Sequence, residues 1–379
     1  MKITAVETLV LEAPLENPWR ISTFTLRSLT ATLVRIHTDE GVSGLGECIA
    51  RLGPGVTAQV VHEILAPALL GRDPHDVEGI WDDMYRLMRP RGHSRGFFVE
   101  AIAGIDIALW DLLGHAAGQP VWRLLAGHGR QQIDAYASSV LLDTPDAMAE
   151  DALRLVQKDG YTAIKVKVGQ GIEQDIPRIE AVRAAVGSSV KIMLDCNAGF
   201  DAASAVVFGR AAERLGIYWI EEPVVADDFA GYERIRRALH DTRIAAGEGE
   251  FISAGFRPYF ERGLLDVAQP DIARCGGFTG SRRTAALANA FNVAVAPHTG
   301  ASGPVCIAAT MHLAAAIPNF LIFENMYPYN PLSTILKNAL PQPIRGTIKT
   351  PVAPGLGVKL DEEALKVFSN GKADWRRTS

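Results

Sequence analysis

Residues 161–197 read YTAIKVKVGQGIEQDIPRIEAVRAAVGSSVKIMLDCN. The stretch opens on a β-branched run, AIKVKVG, and reaches a second such run, KIMLDCN, through an alanine-bearing segment of helical character. Side chains alternate along a strand, so Lys165 and Lys167 share one face while Ile164, Val166 and Val168 share the other. Taken alone, a lysine face suits an edge strand or a half-solvated antiparallel strand. The rest of the chain decides otherwise.

From about residue 131 the same alternation recurs. Eight runs, IDAYASS, AIKVKVG, KIMLDCN, IYWIEEP, RIAAGE, DVAQPD, NVAVAPH and FLIFEN, are each followed by an amphipathic stretch. Strands alternating with helices at this spacing predict a parallel sheet, and eight of them in roughly 200 residues predict an α/β fold, the (β/α)8 TIM-type barrel. A doubly wound open sheet competes, but no GxGxxG follows the first strand. In a barrel one strand face points inward and the C-terminal strand ends carry the site. Ahead of the barrel, MKITAVETLVLEA and TATLVRIHTDEGVSGLGECIA (30–50) read as alternating strands with a DEG turn. In FVEAIAGIDIALWDLLG, Ile102, Ile105, Leu109 and Leu112 recur at helical spacing and Gly114 is expected to close the helix. The predicted organisation is an α+β capping domain at 1–130, the barrel at 131–326, and a proline- and glycine-rich segment at 327–379 that returns to complete the capping domain.

The last polar residues of the runs are Lys165 and Lys167, Asp195 and Asn197, Glu221, Glu248, Asp271, His298 and Glu324. Buried barrel strands are expected to be almost wholly apolar, so charges ending seven consecutive strands imply one shared site at the mouth. Asp195, Glu221 and Glu248 lie on adjacent strands and are expected to converge without an arginine nearby. Three converging carboxylates repel, and all-oxygen donors select a hard divalent cation: Mg²⁺, with Mn²⁺ as a substitute. Asp271 beside His298 fixes the imidazole tautomer and makes an acid/base group. Two close ammonium groups lower each other's pKa, so one of Lys165 and Lys167 is suited to act as a base. Glu250, two residues beyond Glu248, shares its orientation if the strand continues.

The K-x-K, D-x-N, I-E-E-P, G-E, Q-P-D and P-H motifs, in this order and at barrel spacing, resemble the mandelate racemase subgroup of the enolase superfamily over essentially the whole chain. The resemblance implies Asp195, Glu221 and Glu248 as metal ligands. It makes Lys167 one base with Lys165 as its modulator and a carboxylate contact, and His298 paired with Asp271 the opposing acid/base. Asn197 and Glu324 would hold substrate oxygens, and Glu248 rather than Glu250 would be the third ligand, with Glu250 behind it or facing substrate. The related muconate-lactonising subgroup carries a lysine where this chain has Asp271, which argues against it. The chemistry implied is abstraction of a proton α to a carboxylate, giving an enediolate. Loss of a β-hydroxyl then makes a dehydratase, whereas reprotonation makes a racemase or epimerase; a lactone cycloisomerase is a further alternative.

Substrate choice is expected in the cap loops, where NPWRISTF brings Trp19 and Arg20 and RPRGHSRGFF brings His93 and Arg95. Their cationic and hydrogen-bonding groups suit an acid sugar, an aldonate or aldarate. A barrel retained only for binding would have lost a ligand or a base, and none is missing. The net charge of −5, with both signs interspersed, offers no nucleic-acid or membrane-surface footprint. Cys48, Cys196, Cys275 and Cys306 form no CxxC pair, which suits a reducing cytosol, and no stretch reaches transmembrane length. A cytoplasmic homo-oligomer acting on a small-molecule carboxylate is expected.

Overall fold

The computed structural model describes residues 1–49 and 51–379; Ala50, the last position of the second quoted cap stretch, lies outside the described residues. Strands β1 (Ile3–Arg20), β2 (Thr25–Thr38) and β3 (Ser43–Cys48) form an antiparallel meander. The DEG turn holds Gly41 at φ 76°, where a side chain would strain the backbone. One face of the meander packs on the helix Phe97–Ala117. A Cβ at Gly46 would sit 2.0 Å from the Gly104 carbonyl oxygen, so strand and helix touch backbone to backbone. Gly114 does not close that helix, which runs on to Ala117 and ends at Gly118 with φ 63°. Gly114 serves packing instead: a Cβ there would lie 2.5 Å from the Gly355 Cα.

All eight predicted runs form strands: β4 (Gln132–Val140), β5 (Ala163–Lys167), β6 (Lys191–Asp195), β7 (Trp219–Glu221), β8 (Arg243–Ala246), β9 (Val267–Ala268), β10 (Ala294–Val295) and β11 (Phe323–Met326). They are parallel neighbours in chain order, and β11 returns to pair with β4. Val295 completes the ring by accepting from Leu321 N–H and donating to Asn319 O, each at 2.8 Å. Outward residues such as Ile164, Val166, Ile192, Leu194 and Ile220 join the large core under the helices. Inward, Tyr136, Ala163, Met193, Trp219, Ala245, Val267 and Ala296 fill the barrel floor.

Beyond the barrel, β12 (Thr347–Lys349) pairs antiparallel with the start of β4, and β13 (Arg376–Thr378) pairs with β1 at Val6, Glu7 and Thr8. His62 joins these ends, its two ring nitrogens lying 2.8 Å from the Thr8 hydroxyl and 2.6 Å from the Thr378 hydroxyl. The cap meets the barrel at helix starts. Glu47 of β3 accepts from the N–H groups of Gly303, Val305 and Cys306, opening the helix Pro304–Ala316, and Asp106 accepts from Thr279 N–H in the helix Gly277–Ala290. No helix among the described residues is long and apolar enough to cross a membrane.

Candidate active site at the barrel mouth

The period of two that points the floor residues inward points the residue two positions later inward as well, one layer nearer the mouth. Tyr136 leads to Ser138, Ala163 to Lys165, Met193 to Asp195, Trp219 to Glu221, Val267 to Gln269 and Ala296 to His298. A charged ring thus lies on an apolar floor. Lys165 is 1% exposed and touches Glu221 and Glu324 at 2.6 Å each and Asp195 at 3.5 Å. Burial alone would depress its pKa, but the surrounding carboxylates raise it well above the ordinary lysine value. Lys165 is therefore a fixed cation held among three carboxyl groups. Lys167 contacts Asp195 and lies 3.1 Å from the Asn197 amide oxygen.

One oxygen from each of Asp195, Glu221 and Glu248 lies within 4.8 Å of the other two, and all three residues are buried. Burial, reinforced by Asp195, Glu324 and Glu248, pushes Glu221 up to about 8 against the pull of Lys165. The donors of this cluster are all carboxylate oxygens, which fits a hard divalent cation. Glu221 is further oriented by Gln269 at 2.7 Å and the Trp219 indole at 3.2 Å. Contrary to the expectation of no arginine nearby, Arg51, just beyond the cap meander, reaches Glu248 at 3.1 Å.

Glu248 and Glu250 do not share an orientation, because β8 stops at Ala246 and Gly247 turns the chain at φ 127°. That turn aims Glu248 into the mouth. Glu250 instead holds Arg95 of the cap and accepts from Phe251 N–H. Asp271 and His298 form a parallel bridge, with His298 Nδ1 at 2.8 Å from Asp271. Because Nδ1–H donates to Asp271, Nε2 is left facing the cavity, 3.2 Å from Glu248 and 3.9 Å from Glu324. Burial lowers the imidazole pKa, yet the charges of Glu248 and Glu324 and the Asp271 bond bring it up to about 10. Glu324 accepts from Ser138 at 2.8 Å and from Thr299 N–H at 2.6 Å; burial opposes its ionisation, but Lys165 and His298 hold it well below the usual carboxylate range.

A cavity of about 40 Å³ lies between this ring and the cap. Its polar lining is Arg51, Ser138, Lys167, Asn197, Glu248, His298 and Glu324. From the cap and loops come Trp19, Ile21, Phe24 and Leu26, with Leu141 and Met326 beside them. Of the four expected cap residues only Trp19 lines it. Arg20 is exposed and pairs its backbone with Thr25, His93 is exposed beyond the turn Arg89–Arg91, and Arg95 is taken by Glu250. A larger groove of about 800 Å³ lies beyond Trp19, lined by Tyr327, Tyr329 and Asp151 among others, and holds none of the charged ring. Arg51, Ile21, Phe24 and Leu141 lie outside the strands, where no periodicity marks them, and Leu26 and Met326 lie at strand ends without an ionisable group to single them out. Ser138 had a signal, the inward parity of the first run, but a serine is not ionisable.

Comparison with known proteins matches residues 4–126 to the mandelate racemase / muconate lactonizing enzyme N-terminal domain and residues 147–364 to the enolase C-terminal domain-like family. The chain is 34% identical to a D-galactarolactone cycloisomerase of Agrobacterium fabrum, covering 97% of this chain and 99% of that one. It is also 34% identical to a D-galactonate dehydratase of Ralstonia nicotianae, covering 90% and 92%. The structure of the 3,6-anhydro-D-galactonate cycloisomerase from Zobellia galactanivorans superposes with a TM-score of 0.87 at 33% identity, over 97% and 99% of the two chains.

Proposed function

The chain belongs to the mandelate racemase and muconate lactonizing enzyme family of the enolase superfamily and is an enzyme, and from that premise we propose that it dehydrates an acid sugar to a 2-keto-3-deoxy acid. The observation that carries the proposal is that Lys167 Nζ, at the end of β5, and His298 Nε2, just beyond β10, line one cavity, with Asp195, Glu221 and Glu248 clustered beside it. Two strands separate β5 from β10 one way round the ring and four the other. A substrate carbon between them meets one base on each side.

Asp195, Glu221 and Glu248 would hold Mg²⁺, which when bound supplies positive charge to the carboxylate oxygens as the α-proton leaves. Asn197 and Glu324 position substrate oxygens, and Lys165 positions the carboxylates. Lys167 takes the α-proton, and the C–H electron pair becomes the enediolate. His298, oriented by Asp271, gives its Nε2 proton to the β-hydroxyl as the C–O bond breaks, so water leaves and the enol relaxes to the 2-keto acid. The opposite configuration at the α-carbon exchanges these two roles. The resemblance to a cycloisomerase over nearly the whole chain supports a second reading, in which the enediolate electron pair expels the ring oxygen of a lactone as a carboxylate and the resulting enol relaxes to the keto acid.

The test is a panel of acid sugars with Mg²⁺ in D₂O, read for keto-acid release and for deuterium at the α-carbon. Dehydration with Lys167 as base predicts that Lys167→Ala stops both and that His298→Asn blocks release while exchange continues. Inversion at the α-carbon without keto acid would replace the dehydratase by an epimerase, and lactone opening without dehydration would replace it by a cycloisomerase.

A further inference from the structure

The cavity has two unlike halves. Its polar side chains belong to the strand ends or are tied to them, Arg51 through its 3.1 Å contact with Glu248. Facing them is a wall of Trp19, Ile21, Phe24, Leu26, Leu141 and Met326. The side chains of that wall offer one strong hydrogen-bonding atom, the Trp19 indole nitrogen. A sugar chain with its carboxylate and its α- and β-carbons among the strand ends must lay its remaining carbons on this wall. Each hydroxyl placed there leaves water for a surface that returns almost no hydrogen bonds, and a second carboxylate placed there is desolvated without a partner.

The wall is seated by its own contacts. Ser22, between Ile21 and Phe24 on the β1–β2 hairpin, donates its hydroxyl to the Gly169 carbonyl at 2.7 Å. A Cβ at Gly169 would lie 2.5 Å from the Ser22 Oγ, and one at Gly199 would lie 2.3 Å from it. The hairpin tip therefore rests in a notch that two glycines leave open, two residues beyond Lys167 and two beyond Asn197. The apolar residues are held at a fixed distance from the chemistry.

We propose that the substrate is a deoxy sugar acid, with its carboxylate and hydroxyls on the first carbons and a methyl-terminated tail against this wall. The proposal rests on the acid-sugar reading above. It replaces the polyhydroxylated or dicarboxylate tail that the cap-loop sequences suggested, since Arg20 and His93 stand outside the cavity and Arg95 is committed to Glu250.

The experiment compares kcat/KM with saturating Mg²⁺ for stereochemically matched hexonates, 6-deoxyhexonates and hexarates. Apolar pockets reject an added hydroxyl by up to about a hundredfold. In the stereochemical series that is turned over, the 6-deoxy acid is expected to exceed its 6-hydroxy parent by about tenfold to a hundredfold, with the hexarate slowest. Met326→Gln keeps the side-chain length and adds an amide, and it should bring the ratio to within about threefold. Phe24→Asn, on an exposed part of the hairpin, makes the same test if the first variant folds poorly. A hexonate or hexarate that matches or exceeds the deoxy acid overturns the proposal, as does a ratio that neither substitution moves. If no sugar acid of any of the three kinds exchanges its α-proton or releases keto acid, the acid-sugar reading itself falls and takes the proposal with it.

Discussion

Replacing Lys165 by methionine removes a cation that is 1% exposed and that touches Glu221 and Glu324 at 2.6 Å and Asp195 at 3.5 Å. At an effective dielectric constant of about 20, each 2.6 Å contact is worth roughly 6 kcal/mol before desolvation. Desolvation costs several kcal/mol per ion, so most of that attraction is already offset in the wild type. Losing one partner of such a buried set costs about 3–5 kcal/mol, because the remaining charges stay buried without it. Metal-free Lys165→Met is expected to be less stable by that amount, measured by urea unfolding in EDTA at neutral pH. Mg²⁺ should recover part of the loss. In the wild type a divalent cation approaches carboxylates that Lys165 already partly neutralises; in the variant it replaces the missing charge and binds more tightly. A tenfold gain in affinity appears as about 1.4 kcal/mol of extra stabilisation at saturating MgCl₂. Two results would refute the reasoning: a deficit below about 1 kcal/mol in EDTA, or a Mg²⁺ shift larger in the wild type than in the variant.

Glu248→Gln should abolish the Mg²⁺-dependent thermal shift together with turnover, whereas Glu250→Gln should keep the shift and loosen only Arg95; the reverse pattern would make Glu250 the third ligand. Burial holds the His312 imidazole down at about 4 from its ordinary 6.5, so the unfolded chain takes up that proton first. His312 then contributes full stability above pH 6.5, and up to about 3 kcal/mol is lost as the pH falls from there to 4. His312→Gln should flatten that limb of the urea midpoint plotted against pH, and an unchanged limb assigns it to other groups. Gly46→Ala would set a Cβ 2.0 Å from the Gly104 carbonyl oxygen and should cost about 1–3 kcal/mol or more in denaturant unfolding; a variant as stable as the wild type contradicts the backbone contact.

The barrel and its charged ring were legible because both follow from one rule. A period of two along each strand carries an inward floor residue to an inward functional residue, as from Ala163 to Lys165 and from Ala296 to His298, and that rule needs nothing beyond the strand itself. What the rule cannot reach is set by long-range contacts and by turns. Arg51 meets Glu248 across 197 positions, and no local pattern around residue 51 points to it. Glu248 lies off the inward parity of Ala245 and is aimed by the positive φ of Gly247, so counting residues from the strand could not separate it from Glu250. Gly114 reads as a helix stop from its neighbours alone, and only the approach of Gly355 shows why a glycine stands inside a continuing helix. The cap loops gave their composition without their direction, and direction decides that Ile21 and Phe24 line the cavity while Arg20 does not.

The pairing of β13 with β1 bears on the order in which the molecule assembles. The Arg377 guanidinium meets Glu7 across 370 positions, so this edge of the cap sheet closes a loop of almost the entire chain. Barrel strands pair with their neighbours in chain order, and each such step closes a far shorter loop. Contacts of low sequence separation form faster, which places barrel closure ahead of completion of the cap sheet. During synthesis, a chain whose barrel strands have all emerged still lacks β13, the second partner of β1. An intermediate at that stage carries its acidic ring under a cap sheet that is one strand short.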